Sequence, residues 1–295
     1  PNHTHFEILQ VAIKSGKAIF LEKPMATDLK DAAATVALSD AYQSFVQIGL
    51  QYRYKVQYIE AFHEAKSRGS LGEIKTIAMS EYRPPFLDKV DQWNKFNANS
   101  GGTLVEKCCH YFDLINLMAE SQPTLVYASG GQGVNFTDFS KDGVPADIAD
   151  HAFVVIDYAN GTRANFTLNM FCPDFTEEMV VSGTRGRLVA REVFNFHQQQ
   201  GSKATVAIEA GELGASRQMD ATYGALIEQS GHHGATYYEH IAFMDQLEGK
   251  QVDAATPLQG LWSMIVASAA QESMARGQSV DIKQFMQAKG LAGFL

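Results

Sequence analysis

The sequence is poor in cysteine, has no cluster of basic residues and contains no long apolar run, and each shortage excludes a class of protein. Three cysteines among 295 residues are too few for a disulfide framework and favour reduced thiols in the cytoplasm. No uninterrupted apolar run approaches the roughly 18 residues of a membrane-spanning helix. The 24 Lys and Arg residues against 33 Asp and Glu give a net charge of −9, and an acidic chain without a basic patch argues against a nucleic-acid partner.

Metal and secretion signals are also missing. Neither CxxC nor HExxH occurs, so the sequence predicts no metal site. The chain opens at Pro1 without a signal peptide, runs into an amphipathic helix over 6–15 and reaches a short buried strand at 18–21. Because a parallel strand needs neighbours at its edges, we expect the chain to lack the first strands of its sheet.

Residues 1–54 have the pattern of an α/β fold, and the later residues that of an α+β domain. Asp28 is placed to cap a helix that reaches about residue 42, and a second apolar strand follows at 46–50. Two such units in a row predict the C-terminal remnant of a doubly wound parallel sheet. A helix at 55–67 then leads into the second domain, residues 55–295.

Alternating apolar residues dominate this second domain. They predict strands at 74–82, 125–128, 152–158, 163–170, 179–182 and 187–193. Asn160-Gly161 between two of these strands is a hairpin signal. With helices at 103–119, 236–248 and 257–276, the strands predict a large, mostly antiparallel sheet that carries helices on one face. The polar segment 194–235 receives no assignment.

Glu22-Lys23-Pro24 directly follows the first predicted strand. The carboxyl edge of a parallel sheet is where ligands bind in open α/β folds, and Pro24 biases Lys23 toward an extended backbone. Position alone leaves two equal interpretations, a ligand-binding lysine and a solvated loop lysine with a neighbouring salt bridge.

A second charged segment opens the predicted helix 103–119. Glu106, His110 and Asp113 follow one another at i, i+4 and i+7 and therefore share one helical face. A histidine between two carboxylates at the start of a buried helix can serve as a tuned proton acceptor. The alternative is a hydrogen-bonded core histidine.

These segments occur in an order that resembles the Gfo/Idh/MocA oxidoreductases, which include glucose–fructose oxidoreductase and inositol dehydrogenases. The resemblance covers nearly the whole chain, and the matching pieces are Pro1–His5, Glu22-Lys23-Pro24, Tyr52-Arg53, the run from Gly101-Gly102 to His110 and Asp113, and Gly183-Thr184-x-Gly186. One position departs from the pattern, because Glu106 stands where the family often has Asp, and Lys107 follows it.

The resemblance implies a Rossmann domain that binds NAD or NADP, followed by a domain for substrate binding and oligomerisation. Members of the family begin with a strand, a GxGxxG loop and two further βα units, so we expect this chain to lack the N-terminal part of that domain. The cofactor-binding residues implied here are Pro1, Asn2, His5, Glu22, Lys23 and Pro24.

The implied activity is a hydride transfer between the nicotinamide and a hydroxyl carbon of a sugar, cyclitol or related polyol. His110 is the expected base, Lys23 orients the hydroxyl and stabilises charge on its oxygen, and Glu106 supports His110. Lys107 is either a substrate ligand or a salt-bridge partner. The candidate substrate-binding residues are Arg53, Tyr82, Trp93, Lys107, Asp113, His233 and Tyr237.

Two alternative functions stay open, and the sequence also predicts how the protein assembles. An NAD-dependent glycoside hydrolase of the same family and a truncated, non-catalytic relative are the alternatives to a dehydrogenase. Phe153, Val155 and Asp157 share one side of the predicted hairpin, and that face of the sheet must meet solvent or another subunit. We therefore expect a homo-oligomer, a dimer or tetramer, that forms through this face.

Overall fold

The first part of the chain contains the expected parallel pair of strands. The computed structural model describes residues 1–194, 202–211 and 216–295. In it, β1 (Ile19–Glu22) pairs in parallel with β2 (Val46–Gly49), and Ile19 lies opposite Val46. Between them runs α2 (Leu29–Asp40), whose N-cap Asp28 accepts a hydrogen bond from the amide of Asp31. The two parallel strands predicted for the first part of the chain, and the helix between them, are confirmed.

Ten α-helices occur in the described residues. They are α1 (His5–Ala12), α2 (Leu29–Asp40), α3 (Val56–Phe62), α4 (Asn97–Ser100), α5 (Thr103–Glu106), α6 (Cys109–Ala119), α7 (Ala225–Glu228), α8 (Ala235–Leu247), α9 (Pro257–Arg276) and α10 (Ile282–Ala288). None of the helices in these ranges is long and apolar enough to cross a membrane.

The second part is built on one large sheet, which has nine strands within the described ranges, in the order β12-β11-β10-β9-β3-β8-β7-β4-β13. After β1 and β2, the strands are β3 (Ile74–Tyr82), β4 (Pro123–Gly131), the small pair β5 (Ser140–Lys141) and β6 (Val144–Pro145), β7 (His151–Tyr158), β8 (Arg163–Asn169), β9 (Phe175–Gly183), β10 (Arg187–Phe194), β11 (Lys203–Glu209), β12 (Arg217–Asp220) and β13 (Val280–Asp281). All neighbours in the large sheet are antiparallel except β3 and β8, so the predicted fold class is confirmed.

Helices cover one face of this sheet and leave the other open. Val154, Ile156 and Phe166 on the covered face are fully buried, whereas Phe153 and Val155 on the opposite face are 61% and 44% exposed. The alternation follows from the two-residue period of a strand. The predicted hairpin is present as β7 and β8, with Val155 opposite Asn165.

Helix α9 joins the two parts of the chain. Thr256 caps it through a capping box with Gln259, and it ends at Gly277 in the left-handed conformation. It packs on α2 from the first part and on α6 and β4 from the second. Just before α9, the carbonyl of Ala255 accepts a 2.9 Å hydrogen bond from the amide of Ile48. Helix α9 and the residue before it thus hold the parallel strands against the large sheet.

The prediction of a single helix over 103–119 is wrong in one respect. The helix is interrupted between α5 and α6, where the amides of Lys107 and Cys108 both donate to the carbonyl of Thr103. Glu106 and His110 therefore belong to different helical segments.

The unassigned segment 194–235 contains further strands. Strand β11 extends the sheet beyond β10, and β12 pairs with β11. Ala204, Val206 and Ile208 alternate into the core, a short period-two signal that the surrounding polar residues masked. Residues 195–201 and 212–215 of this segment lie outside the described ranges.

Candidate active site

Lys23 lies at the carboxyl end of β1, in the loop that carries Glu22-Lys23-Pro24. Its ammonium donates a 2.7 Å hydrogen bond to the main-chain oxygen of Glu106 and lies 3.5 Å from Oε1 of the same residue. Burial opposes the charge on Lys23, but the Glu106 carboxylate outweighs it and raises the pKa of the ammonium above its usual value. Lys23 is therefore a cation held against the end of α5.

His110 lies at the start of α6 and is 2% exposed. Its ring stacks flat on that of Tyr52, with the centroids 4.1 Å apart and the planes 8° from parallel. Among the described residues, its Nδ1 has no hydrogen-bond partner although it is buried. Burial first, and then the charges of Lys23 and Lys107, lower the pKa of His110 well below its usual value. The imidazole is consequently neutral, which is the form that can accept a proton.

Arg53 and Asp113 form a buried ion pair. Arg53 donates two hydrogen bonds, of 2.7 and 2.6 Å, to the two carboxylate oxygens of Asp113, and a third of 3.0 Å to Gln259. The fork geometry satisfies both charges. Both carboxylate oxygens of Asp113 are thus engaged by Arg53. Both residues act here as a clamp between the segment after β2 and α6.

The structure also defines the neighbours of Lys107. Its ammonium lies 3.1 Å from Oε1 of Glu81 and donates a 2.7 Å hydrogen bond to the hydroxyl of Tyr52. Burial opposes the charge, but the carboxylate of Glu81 raises the pKa of Lys107 above its usual value. Lys107 is a salt-bridge partner, and it also lines the cleft described next.

An open cleft of about 630 Å³ lies beside the Tyr52–His110 stack. This volume is within the roughly 300–1,000 Å³ typical of small-molecule sites. The polar side chains of its wall include Tyr52, Lys55, Arg83, Lys107, Glu192, His232 and His233. Because Tyr52 belongs to both the stack and the wall, the cleft adjoins the histidine.

Glu192 lines the cleft, and a second buried glutamate, Glu177, shares the same lysine partner. Lys55 bridges Glu177 and Glu192, with 2.7 Å to the latter. Burial raises the pKa of Glu177 to about 7. Burial acts in the same direction on Glu192, but Lys55 outweighs it and lowers that pKa to about 2. His233 lies 3.2 Å from Glu192.

The predicted substrate-binding residues divide into two groups. Lys107 and His233 line the cleft. Tyr82 is 39% exposed and follows Glu81 on β3, so strand alternation turns it to the opposite face of the sheet. Tyr237 on α8 is 43% exposed, and Trp93 lies half-buried in the 3-10 turn Val90–Lys95; neither is among the residues of the cleft wall.

Sequence reasoning missed Glu81 and the stacking role of Tyr52. Glu81 is fully buried and occupies an inward-facing position of β3, after Ile77 and Met79. A charged residue at such a position was the available signal, because a buried carboxylate requires a partner. The stack of Tyr52 on His110 left no local signal, since the two residues come from distant segments.

The N-terminal residues brace the loop that carries Lys23. The Asn2 side chain donates a 3.2 Å hydrogen bond to the carbonyl of Ser100, and His5 Nδ1 lies 2.8 Å from the carbonyl of Pro24. Glu22 Oε2 accepts a bond from the amide of Lys23. Pro1 is exposed beside them. A lysine cation at the carboxyl edge of a parallel sheet, beside a buried neutral histidine with an unpartnered nitrogen, suits the nicotinamide end of a dinucleotide and a hydroxyl-bearing substrate.

Comparison with known proteins decides the family. A family model described as the C-terminal alpha/beta domain of an oxidoreductase family, GFO_IDH_MocA, matches residues 64–282. The chain belongs to the Gfo/Idh/MocA oxidoreductase family. The model for the family's NAD-binding Rossmann fold matches residues 1–50. The predicted family is confirmed, and the first part of this Gfo/Idh/MocA chain belongs to an NAD-binding domain.

Individual relatives are distant in sequence and close in fold. The chain is 24% identical over 291 residues to 1,5-anhydro-D-fructose reductase of Ensifer adhaerens, covering 96% of this chain and 78% of the reductase. It is 23% identical over 191 residues to inositol 2-dehydrogenase of Rhizobium meliloti, covering 64% and 54%. The structure of levoglucosan dehydrogenase in complex with NADH is similar with a TM-score of 0.74 at 20% identity, covering 96% of this chain and 78% of that one.

Proposed function

We propose that this oxidoreductase is an NAD(P)-dependent dehydrogenase that oxidises a hydroxyl carbon of a sugar, cyclitol or related polyol, or reduces the corresponding carbonyl. The observation that carries the proposal is the contact of Lys23 with Glu106 at the carboxyl end of β1, with the neutral His110 near enough for the charge of Lys23 to lower its pKa. A cation and a neutral base at this edge of the sheet suit a reaction between a nicotinamide cofactor and a hydroxyl-bearing substrate. The names of the relatives, a reductase and dehydrogenases of sugars and inositol, support the substrate class.

In the proposed mechanism, each residue has one task. Lys23 donates a hydrogen bond to the substrate hydroxyl and stabilises negative charge on its oxygen. His110 takes the hydroxyl proton, and Glu106 keeps Lys23 charged and in place. The nicotinamide, when bound, supplies a two-electron hydride acceptor for the hydroxyl carbon. The stack on Tyr52 fixes the plane of the imidazole.

We assign the cofactor end of this site to Pro1, Asn2, His5, Glu22, Lys23 and Pro24. The observation behind this assignment is that His5 contacts the carbonyl of Pro24, while Asn2 donates to the carbonyl of Ser100. We accordingly assign residues 1–54 to the cofactor-binding domain and residues 55–295 to the substrate-binding domain. The choice between NAD and NADP is an outcome of the assay below.

The test is a cofactor-reduction assay. The protein is incubated with NAD⁺ or NADP⁺ and a panel of neutral sugars and inositols, and the absorbance of the reduced cofactor is followed. Turnover that depends on both the cofactor and a polyol is expected. Release of free sugar from a glycoside without a net change in absorbance would favour the glycoside hydrolase. Absence of cofactor binding by calorimetry would favour the non-catalytic relative.

We propose further that the protein is a cytoplasmic homo-oligomer that assembles through the open face of the large sheet. Cys108, Cys109 and Cys172 are all unpaired, as expected in a reducing compartment. On the open face, Tyr127 lies opposite Val155 and Ser129 opposite Phe153. The three large apolar side chains of this patch are 43–61% exposed, and a second copy of the sheet would cover them.

A further inference from the structure

One end of the cleft carries a positive charge that its buried carboxylate does not balance. Lys107 Nζ lies 3.1 Å from Oε1 of Glu81, and Arg83 Nη1 lies 3.7 Å from the same atom. Glu81 is fully buried, while Arg83 and Lys107 reach the cleft with 19% and 10% of their side chains exposed. Two cations thus share one carboxylate, and one positive charge is left over at the surface of the cleft.

The other end of the cleft has no such excess. There a single ammonium, that of Lys55, lies between Glu177 and Glu192. Gln57 donates to both carboxylates, and the hydroxyl of Tyr111 donates to Glu177. One cation against two carboxylates leaves this end neutral or negative. Among the described residues of the cleft wall, the excess positive charge therefore lies at Arg83 and Lys107.

The guanidinium of Arg83 has N–H groups available for a ligand. Within the described part of the chain, its side chain makes one hydrogen bond, from Nε to the carbonyl of Pro84 at 3.1 Å. Its guanidinium lies over the ring of Phe86 at 5.4 Å, which fixes its plane. A guanidinium with free N–H groups in a cleft wall is suited to bind a carboxylate with two parallel hydrogen bonds.

We propose that the substrate is a polyhydroxy acid, a sugar or cyclitol that bears a carboxylate, and that Arg83 and Lys107 bind this carboxylate while a hydroxyl carbon faces His110. The inference deepens the proposed function and rests on it. A single excess charge matches a carboxylate monoanion better than a phosphate dianion. Lys107 contacts Tyr52, which stacks on His110, so the acid group and the reacting hydroxyl fall within one cleft.

Binding of a carboxylate would also raise the pKa of His110, the proposed base. Lys107 is among the charges that lower the pKa of His110. A bound anion offsets that charge and raises the pKa of His110 toward the neutral range, where a general base works best. An acidic substrate thereby strengthens the base that it needs, and a neutral polyol does not.

The test compares acids with neutral sugars of the same skeleton. Steady-state rates are measured with D-glucuronate against D-glucose and with D-galacturonate against D-galactose, using NAD⁺ and NADP⁺. The expected kcat/KM is about 10- to 100-fold higher for the acid of at least one pair, the size of a charge-assisted hydrogen bond. Neutral sugars that equal or exceed their acids in both pairs would overturn the inference and leave the proposed function standing.

Variants of Arg83 test whether this residue causes the preference for acids over neutral sugars. Arg83→Gln should lower kcat/KM for the preferred acid by about 10-fold or more, and Arg83→Lys should retain part of it because the charge remains. Arg187→Gln is the matched control, since Arg187 is half-exposed, pairs with Glu209 and lies at the far end of β10. Melting temperatures show whether each variant is folded. An acid preference that survives Arg83→Gln in a folded protein would overturn the assignment.

Calorimetric titration separates failure of this inference from failure of the proposed function. If no sugar reduces the cofactor, D-glucuronate and D-glucose are titrated into the cofactor-containing protein. Binding of the acid alone, lost in Arg83→Gln, would support the carboxylate site although the proposed reaction had failed. Binding of neither, or of both equally, would overturn the inference as well.

Discussion

The ammonium of Lys23 donates a 2.7 Å hydrogen bond to the main-chain oxygen of Glu106, a residue 83 positions later in the chain. This bond joins the carboxyl end of a parallel strand to the end of α5, just before the helix is interrupted. Glu106 faces Lys23 while Lys107 faces Glu81, since successive residues of a helix point about 100° apart. The end of α5 thus presents two successive charged residues to two different elements.

Replacement of the proposed base should remove catalysis and preserve the fold. His110→Asn is expected to lower kcat by about 10²–10⁴-fold, the usual contribution of a general base, with cofactor affinity unchanged. Steady-state kinetics with melting temperatures measure this. The exposed His63→Asn is the control. An unchanged kcat in a destabilised His110→Asn protein would assign His110 to the core alone.

Loss of the Glu106 carboxylate should move the alkaline side of the pH–rate profile. Glu106 raises the pKa of Lys23 against the effect of burial, and the reaction needs Lys23 charged. Glu106→Gln therefore lowers the pKa of Lys23, and kcat/KM begins to fall at lower pH than in the parent protein. A profile of kcat/KM against pH shows the shift. An alkaline limb that does not move would exclude this role for Glu106.

Glu239 on α8 should make stability fall as pH rises. Burial raises the pKa of this carboxyl to about 9 from its ordinary 4.5. Between these values the folded protein binds a proton that the unfolded chain has lost, so the free energy of unfolding decreases with increasing pH. Glu239→Gln keeps the neutral shape and removes this decrease.

Urea unfolding at several pH values measures the effect of Glu239. The Glu239→Gln protein should gain stability relative to the parent on the alkaline side and little near pH 4.5. The exposed Glu248→Gln should follow the parent at every pH. A difference between the Glu239→Gln protein and the parent that does not change with pH would contradict the assignment.

A charge on the open sheet face should dissociate the proposed oligomer. Phe153 is 61% exposed at the centre of the apolar patch, and a glutamate there would bury an unpaired charge in the interface. Light scattering should report oligomer for the parent and monomer for Phe153→Glu. Val134→Glu, at a 56% exposed site in the loop after β4, is the control. A monomeric parent at micromolar concentration would refute this assembly.

Local elements could be read from the sequence because their signals lie within a few residues. The hairpin of β7 and β8 follows from alternation around Asn160-Gly161, and α9 follows from its apolar pattern between Thr256 and Gly277. Strand β11 had the same period but was missed among polar neighbours. The ordered motifs were sufficient to predict the family and to name Lys23 and His110 as site candidates.

The sequence by itself determined most of the helices and strands and the apolar face of each, because these properties depend on residues one to four positions apart. Tertiary structure alone decided the strand order, the break after Glu106 and the partners of the charged residues. Asp113 pairs with Arg53, and Lys107 with Glu81, across 60 and 26 positions of sequence. A buried charge is stabilised by whichever opposite charge the fold brings to it, and no local pattern specifies that partner.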